Sequence, residues 1–255
     1  MLWAIAFAGG LFVGMLAMQH VGHTIAMRRI AVDPDSAKKG AGVIEGAVFG
    51  LLSLLIAFTF SGAVTRFDAR RHLISEEAIS IGTAWDRISL LPAGAQPGLR
   101  DLFKRYLDSR LETYRNPDDG DGTKAAWDHS LKLQEEIWVE GVAAGQASPT
   151  TVAGMLFLPA VNQMIDITRT RLMATRMHPP PIVYAMLAVV ALIGATLAGY
   201  HMAGGKARSW LHTVGFAAVL ASTVYVILDI EYPRLGLIRV DSADEVLVEL
   251  RRSMN

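Results

Sequence analysis

The stretch Gly46–Thr65 (GAVFGLLSLLIAFTFSGAVT) carries no charged residue, and it runs without a break into Arg66-Phe67-Asp68-Ala69-Arg70-Arg71. About 20 apolar residues at about 1.5 Å each cross the roughly 30 Å hydrocarbon core of a bilayer, so the first part is long enough to span one. No proline follows it before Pro92, and the first glycine comes only at Gly82, so nothing in the sequence stops the helix at the membrane surface. A rod that leaves the bilayer still helical links events inside the membrane to events outside it.

The rest of the chain agrees with a membrane protein. Of 255 residues, 52% are hydrophobic and 19% charged, against about 25% charged in a soluble domain. The apolar excess is concentrated in four uncharged spans, Leu2–Met18, Gly46–Thr65, Ile182–Tyr200 and Ser209–Leu228. Leu2–Met18 lacks a positive n-region and a following small-x-small site, so it reads as a retained helix rather than a cleaved signal. Net charge is zero, which gives no argument for nucleic acid or an acidic substrate. There is no cysteine, which excludes disulfides, thiolate metal sites and cysteine nucleophiles.

The spans fall into two pairs. Residues 1–65 form a first transmembrane hairpin, with a linker from His20 to Glu45 that includes Arg28, Arg29, Lys38 and Lys39. Residues 181–228 form a second hairpin, closed by a turn from Ala203 to Arg208. Between them, residues 66–180 read as a helical extramembrane domain. Ile74, Ala78, Ile81, Trp85 and Ile88 recur at helical spacing until Pro92, and Leu99, Phe103, Tyr106, Leu107, Leu111 and Tyr114 form a second stripe. Asn116-Pro117-Asp118-Asp119-Gly120 breaks that stripe, and a third helix carries Trp127, Leu131 and Trp138. A fourth is expected with Ser148 as N-cap, Pro149 at its first position and a kink at Pro159. The tail, residues 229–255, ends in a short helix from Ser242. The fold class is therefore all-α, with four transmembrane helices and no β pattern of useful length.

Several residues are candidates for function. Gly42, Gly46 and Gly50 recur every four residues, a spacing that lets helices approach closely in lipid. The same face continues through Leu54, Phe58 and Ser61 or Gly62, and it would serve either as a packing seam or as the wall of a narrow pore gated by dewetting. Arg66, Arg70 and Arg71 stand where the helix leaves the bilayer, as interfacial anchors or as a positive ring at a pore mouth. Asp68, Asp229 and Glu231 are natural ion-pair partners for them. Glu45 reads as an interfacial carboxylate near Lys38 or Lys39, or as part of a vestibule. His20 and His23 lack a third metal ligand, and the Asp118-to-Gly122 run lacks the glutamate an EF-hand requires. No nucleophile elbow, phosphate loop or paired-carboxylate motif is present, so neither an enzyme nor a cofactor is expected.

The layout resembles the bacterial bestrophin-like family and, more remotely, the bestrophins, which are pentameric anion channels. The resemblance covers most of the chain. Its specific pieces are Ala57 to Gly62 (AFTFSG) leading into Thr65 to Arg71 (TRFDARR), then Glu76-Glu77-Ala78, Gly82-Thr83-Ala84 and Pro233 to Asp241 (PRLGLIRVD). It implies a homo-oligomer, pentameric by analogy, in a lipid bilayer, with the second span lining a path for small anions. Aligning the family's threonine–arginine–aromatic sequence on Thr65-Arg66-Phe67 puts Phe58, Leu54 and Gly50 at the neck, where only Phe58 matches in type. It also implies a plasma (inner) membrane location with the termini and residues 66–180 in the cytoplasm. Eight arginines on that side near span ends, against six positive residues on the other, vote the same way. Asp241, Asp244 and Glu245 are too sparse for the calcium clasp of animal bestrophins. The rival reading is a non-conducting, membrane-anchored scaffold or sensor whose helical domain binds a partner.

Overall fold

The computed structural model of the chain describes residues 2–32, 41–115, 120–203 and 210–254. Lys38 and Lys39, the breaker Asn116 to Asp119 and the turn residues Gly204 to Arg208 lie outside them. In chain order the helices are α1 (Leu2–Val32), α2 (Ala41–Arg87), α3 (Gln96–Arg115), α4 (Gly120–Gln146), α5 (Thr151–Arg176), α6 (Pro181–Met202), α7 (Trp210–Glu231) and α8 (Asp241–Ser253). Among the described residues there is no strand. The protein is all-α, and four of its helical segments are long and apolar enough to cross a membrane.

The second helix is the expected rod. It runs through 47 residues, and a 3-10 turn at Ile88–Leu90 ends it just before Pro92. Two expectations fail locally. The linker from His20 is helical as far as Val32, because no proline occurs before Pro34 and Gly22 alone does not break the helix. The fourth extramembrane helix starts at Thr151, not after Ser148. Thr150 takes the extended N-cap conformation (φ −126°, ψ 139°) and leaves Pro149 outside the helix. Pro159 sits inside α5, which continues unbroken past it.

The chain divides into two compact units. One comprises Met1–Thr65 and His178–Tyr232; the other comprises Arg66–Met177 and Pro233–Asn255. In the first, α1 packs on α6 and α7 through Ala4, Leu11, Met15, Ala191, Ala195 and Ala217. Small side chains dominate because, in lipid, helix association rests on close packing rather than on exclusion of water. The approach is tightest at two glycines. A Cβ on Gly22 would overlap the carbonyl oxygen of Thr196, and one on Gly199 would overlap the backbone of Gln19. Phe49 of α2 lies edge-on to Phe216 at 5.6 Å and fills the space beside Gly194.

In the second unit, Ile74 and Ile81 of α2 and Ile88 of the 3-10 turn that follows join a core shared with Phe103, Leu133 and Phe157. The C-terminal segment belongs to this core. Val240, Leu247 and Met254 are buried in it, and Arg251 of α8 donates twice to Asp108 of α3, at 2.8 and 3.1 Å.

The glycine crossing yields a test. Gly199→Ala places a methyl group against backbone that cannot move like a side chain, so it should destabilise the fold by about 1–3 kcal/mol. Gly215→Ala, where a Cβ would meet nothing within 4 Å, should not. Thermal unfolding in detergent compares the two.

Candidate functional site

The α2 face singled out in the sequence is open. Leu54 and Phe58 are 51% and 68% exposed, and Gly50 and Ser61 share their exposure. Among the described residues, a Cβ on Gly42, Gly46 or Gly50 would meet nothing within 4 Å, so no close approach there needs a glycine. The close-approach glycines are Gly22 and Gly199 instead, which four-residue spacing on the second span did not reveal. Two threonine hydroxyls on this part of α2 are turned to its own backbone. Thr59 donates to Leu55 O at 2.6 Å and Thr65 to Ser61 O at 2.9 Å. The exposed face that remains is largely apolar, with Leu54 and Phe58 as its large side chains.

The three arginines beyond it are not equivalent. Arg70 is only 8% exposed. Its Nε donates to Ala174 O at 3.1 Å and its Nη2 to Met177 O at 2.9 Å. Ala174 lies in the last turn of α5, whose carbonyls lack intrahelical partners. A guanidinium there satisfies them and complements the negative end of the helix dipole. Arg71 is exposed, 3.8 Å from Asp68, with its Cζ 5.8 Å from the Phe67 ring. Arg66 is half-buried. Asp229 and Glu231 are buried at the end of α7. Tyr225 donates to Asp229 at 3.3 Å, and Glu231 Oε1 lies 3.1 Å from Nδ1 of His178. His178 stacks on Tyr232 at 4.5 Å, and Trp3 meets the same ring edge-on at 5.1 Å. Glu45 lies 3.4 Å from His201.

A second constellation escaped the sequence reading. Glu77 of α2 and Arg110 of α3 are fully buried, and Arg110 Nε donates to Glu77 Oε1 at 2.7 Å. Arg171 of α5 binds the other carboxylate oxygen and lies 3.6 Å from Asp244 of α8. Arg234 donates twice to Asp244, at 2.9 and 3.2 Å. The Tyr114 ring stands among the three guanidiniums, with their Cζ atoms 5.0, 4.2 and 4.4 Å from its centroid. Such stacking attracts a cation to the ring face. Arg110 also donates to Tyr114 OH at 2.6 Å and lies 5.0 Å from the Trp127 ring.

These groups lie outside the uncharged span of α2, and their titration follows from burial and pairing. Burial alone pushes the Glu77 carboxyl up, but Arg110 and then Arg171 outweigh it and hold it below 4.5. Burial disfavours the Arg110 charge, and Glu77 more than offsets this. Burial pushes the neighbouring Tyr106 phenol up to about 12, so it stays neutral and can serve Thr168 and Gln134, at 2.9 and 3.0 Å. A faint signal existed. Glu77 interrupts the Ile74–Ala78–Ile81 stripe, and Arg110 sits between Tyr106 and Tyr114 at four-residue spacing. Among the described residues no group of His, Cys, Asp and Glu is arranged to hold a metal ion.

A family model described as the Bestrophin-like domain matches residues 4–244. No curated protein sequence matches the chain. The fold is similar to two crystal structures of a bacterial bestrophin homolog from Klebsiella pneumoniae. For the variant with a tyrosine-to-alanine mutation, the TM-score is 0.70 at 12% identity, over 95% of this chain and 98% of that one. For the variant with a tryptophan-to-alanine mutation, it is 0.69 at 12% identity, over 95% of each.

Glu77 is the point at which the cluster should fail. Glu77→Gln leaves two buried guanidiniums without their shared charge, and loss of one partner of a buried pair costs about 3–5 kcal/mol. The folded-state pKa of Glu77 is depressed, so the wild-type advantage is full above pH 4.5 and is lost as pH falls through that lower value. Unfolding curves of the wild type and variant at neutral pH and at progressively lower pH should therefore converge at the acid end.

Proposed function

The chain belongs to the Bestrophin-like domain family, and on that premise we propose that it is an ion channel assembled from copies of itself around α2. The copies form a pentamer in the plasma (inner) membrane, with both termini and residues 66–180 in the cytoplasm. Leu54 and Phe58 make an apolar neck, continued by Ser61 toward the cytoplasm and widened at Gly50. Arg66, Arg70 and Arg71 supply positive charge at its mouth, and small anions are the permeant class.

One observation carries this reading. α2 buries Leu52 and Ala63 against its own chain, yet leaves the large side chains of Leu54 and Phe58 uncovered on another face. In a bilayer, lipid could cover that face. Repetition about an axis instead brings it together as a constriction with nothing to bind an ion tightly, which suits gating by dewetting. Gly42, Gly46 and Gly50 then serve a second copy, since a helix can approach closely where no side chain stands.

Two measurements test the proposal. The mass of the detergent-purified particle should correspond to five chains; a monomer or dimer would sink the axial pore. In planar bilayers the wild type should pass anion current, and Phe58→Ala should raise conductance or weaken closure by widening the neck. A correctly assembled particle with no conductance under any gradient would favour a membrane-anchored scaffold.

A further inference from the structure

We propose that the C-terminal segment is latched to α2 through one shared charged side chain, Arg171, so that its docking state is transmitted to the helix that carries Glu77. The latch has four members on four parts of the fold. Glu77 stands on α2, Arg171 on α5, Asp244 on α8 and Arg234 on the segment leading into α8. One guanidinium serves both carboxylates. Arg171 Nη1 binds Glu77, and its Nη2 lies 3.6 Å from Asp244 Oδ1. Asp244 is meanwhile held by both terminal nitrogens of Arg234.

Burial makes this sharing consequential. Arg171 is 5% exposed and Glu77 is fully buried, so water cannot replace a lost partner. Low local dielectric strengthens each pair and raises the cost of any unpaired charge. If α8 departs, Asp244 leaves Arg171 and Arg234 facing each other across the Tyr114 ring, with Glu77 the remaining acid of the cluster among the described residues. If Glu77 loses its charge, Arg171 has only Asp244 to turn to, and the seat of α8 changes. Coupling of this kind is reciprocal by thermodynamic necessity. Outside this charge network α8 is held by Arg251 on Asp108 of α3 and by apolar packing, in which Leu250 stands beside Gly82 of α2, so the Arg171→Met background is what separates the charged link from the apolar one. The inference rests on these contacts and is independent of whether the protein conducts.

Hydrogen exchange on the full-length protein in detergent tests it. Asp244→Asn should speed exchange about fivefold or more in α8 and also in the α2 amides around Glu77, while α4 amides stay unchanged. In an Arg171→Met background, adding Asp244→Asn should leave α2 exchange unaltered, because the relay is already cut. Arg251→Ala is the milder variant, since it loosens α8 without touching the buried charges. It should likewise raise exchange in both α8 and α2. Faster exchange confined to α8 in both Asp244→Asn and Arg251→Ala would overturn the latch, as would an undiminished Asp244→Asn effect on α2 in the Arg171→Met background.

Discussion

Glu77 of α2 is the residue on which α3 and α5 of the second unit converge. It takes Arg110 of α3 on one carboxylate oxygen and Arg171 of α5 on the other, inside a core from which water is excluded. A carboxylate alone in that place would be protonated or expelled, and two arginines alone would repel each other. Together they are tolerated only in one arrangement of α2, α3 and α5. Apolar packing in the core that holds Ile81 and Phe103 would accept small slips of register; a buried acid between two guanidiniums accepts fewer. The aromatic rings share the task. Tyr114 receives a hydrogen bond from one arginine and offers its face to all three.

The membrane unit is organised by a different constraint. Exclusion of water contributes nothing between helices in lipid, so α1 and α6 are held by proximity, with glycines at the crossing and alanines along it. That choice also explains why α2 can afford an uncovered face. Its inner residues, Phe49 and Leu52, are already engaged beside Gly194 of α6. A helix docked on one side and bare on the other leaves that second face for lipid or for the further copies proposed above.

How much of this the sequence declared depends on the length of the signal. Four long uncharged runs and an unbroken charged extension are strong features, and they placed α2, α6 and α7 within a few residues. The apolar stripe Ile74–Ile88 named the core face of the rod correctly, since Ile74, Ile81 and Ile88 are buried. Pairwise geometry was not legible. Nothing distinguishes Gly22 and Gly199, which meet backbone, from Gly42 and Gly46, which meet nothing. Spacing marks where a close approach is possible but does not say which helix arrives. Arg110 and Arg171 were hidden for a similar reason. A charged residue within an apolar stripe gains its meaning from a partner 33 or 94 residues away.

The same limit bears on the run Arg66 to Arg71. In the sequence its three arginines look interchangeable, and a positive ring would use them all. In the fold Arg70 gives its donors to Ala174 and Met177, and Arg71 stands in the open 3.8 Å from Asp68. A guanidinium bound to carbonyls keeps its charge, because carbonyls carry none. It has fewer hydrogens left for a passing ion. What Arg70 would offer an anion at the proposed mouth is therefore field rather than ligation, and the field of a buried charge is screened less by salt than that of an exposed one. Arg71 is in the opposite position, with donors free in solvent but a carboxylate nearby to cancel part of its field. In the proposed mouth, this pair would attract an ion without holding it, and a permeant ion must be able to leave as readily as it enters.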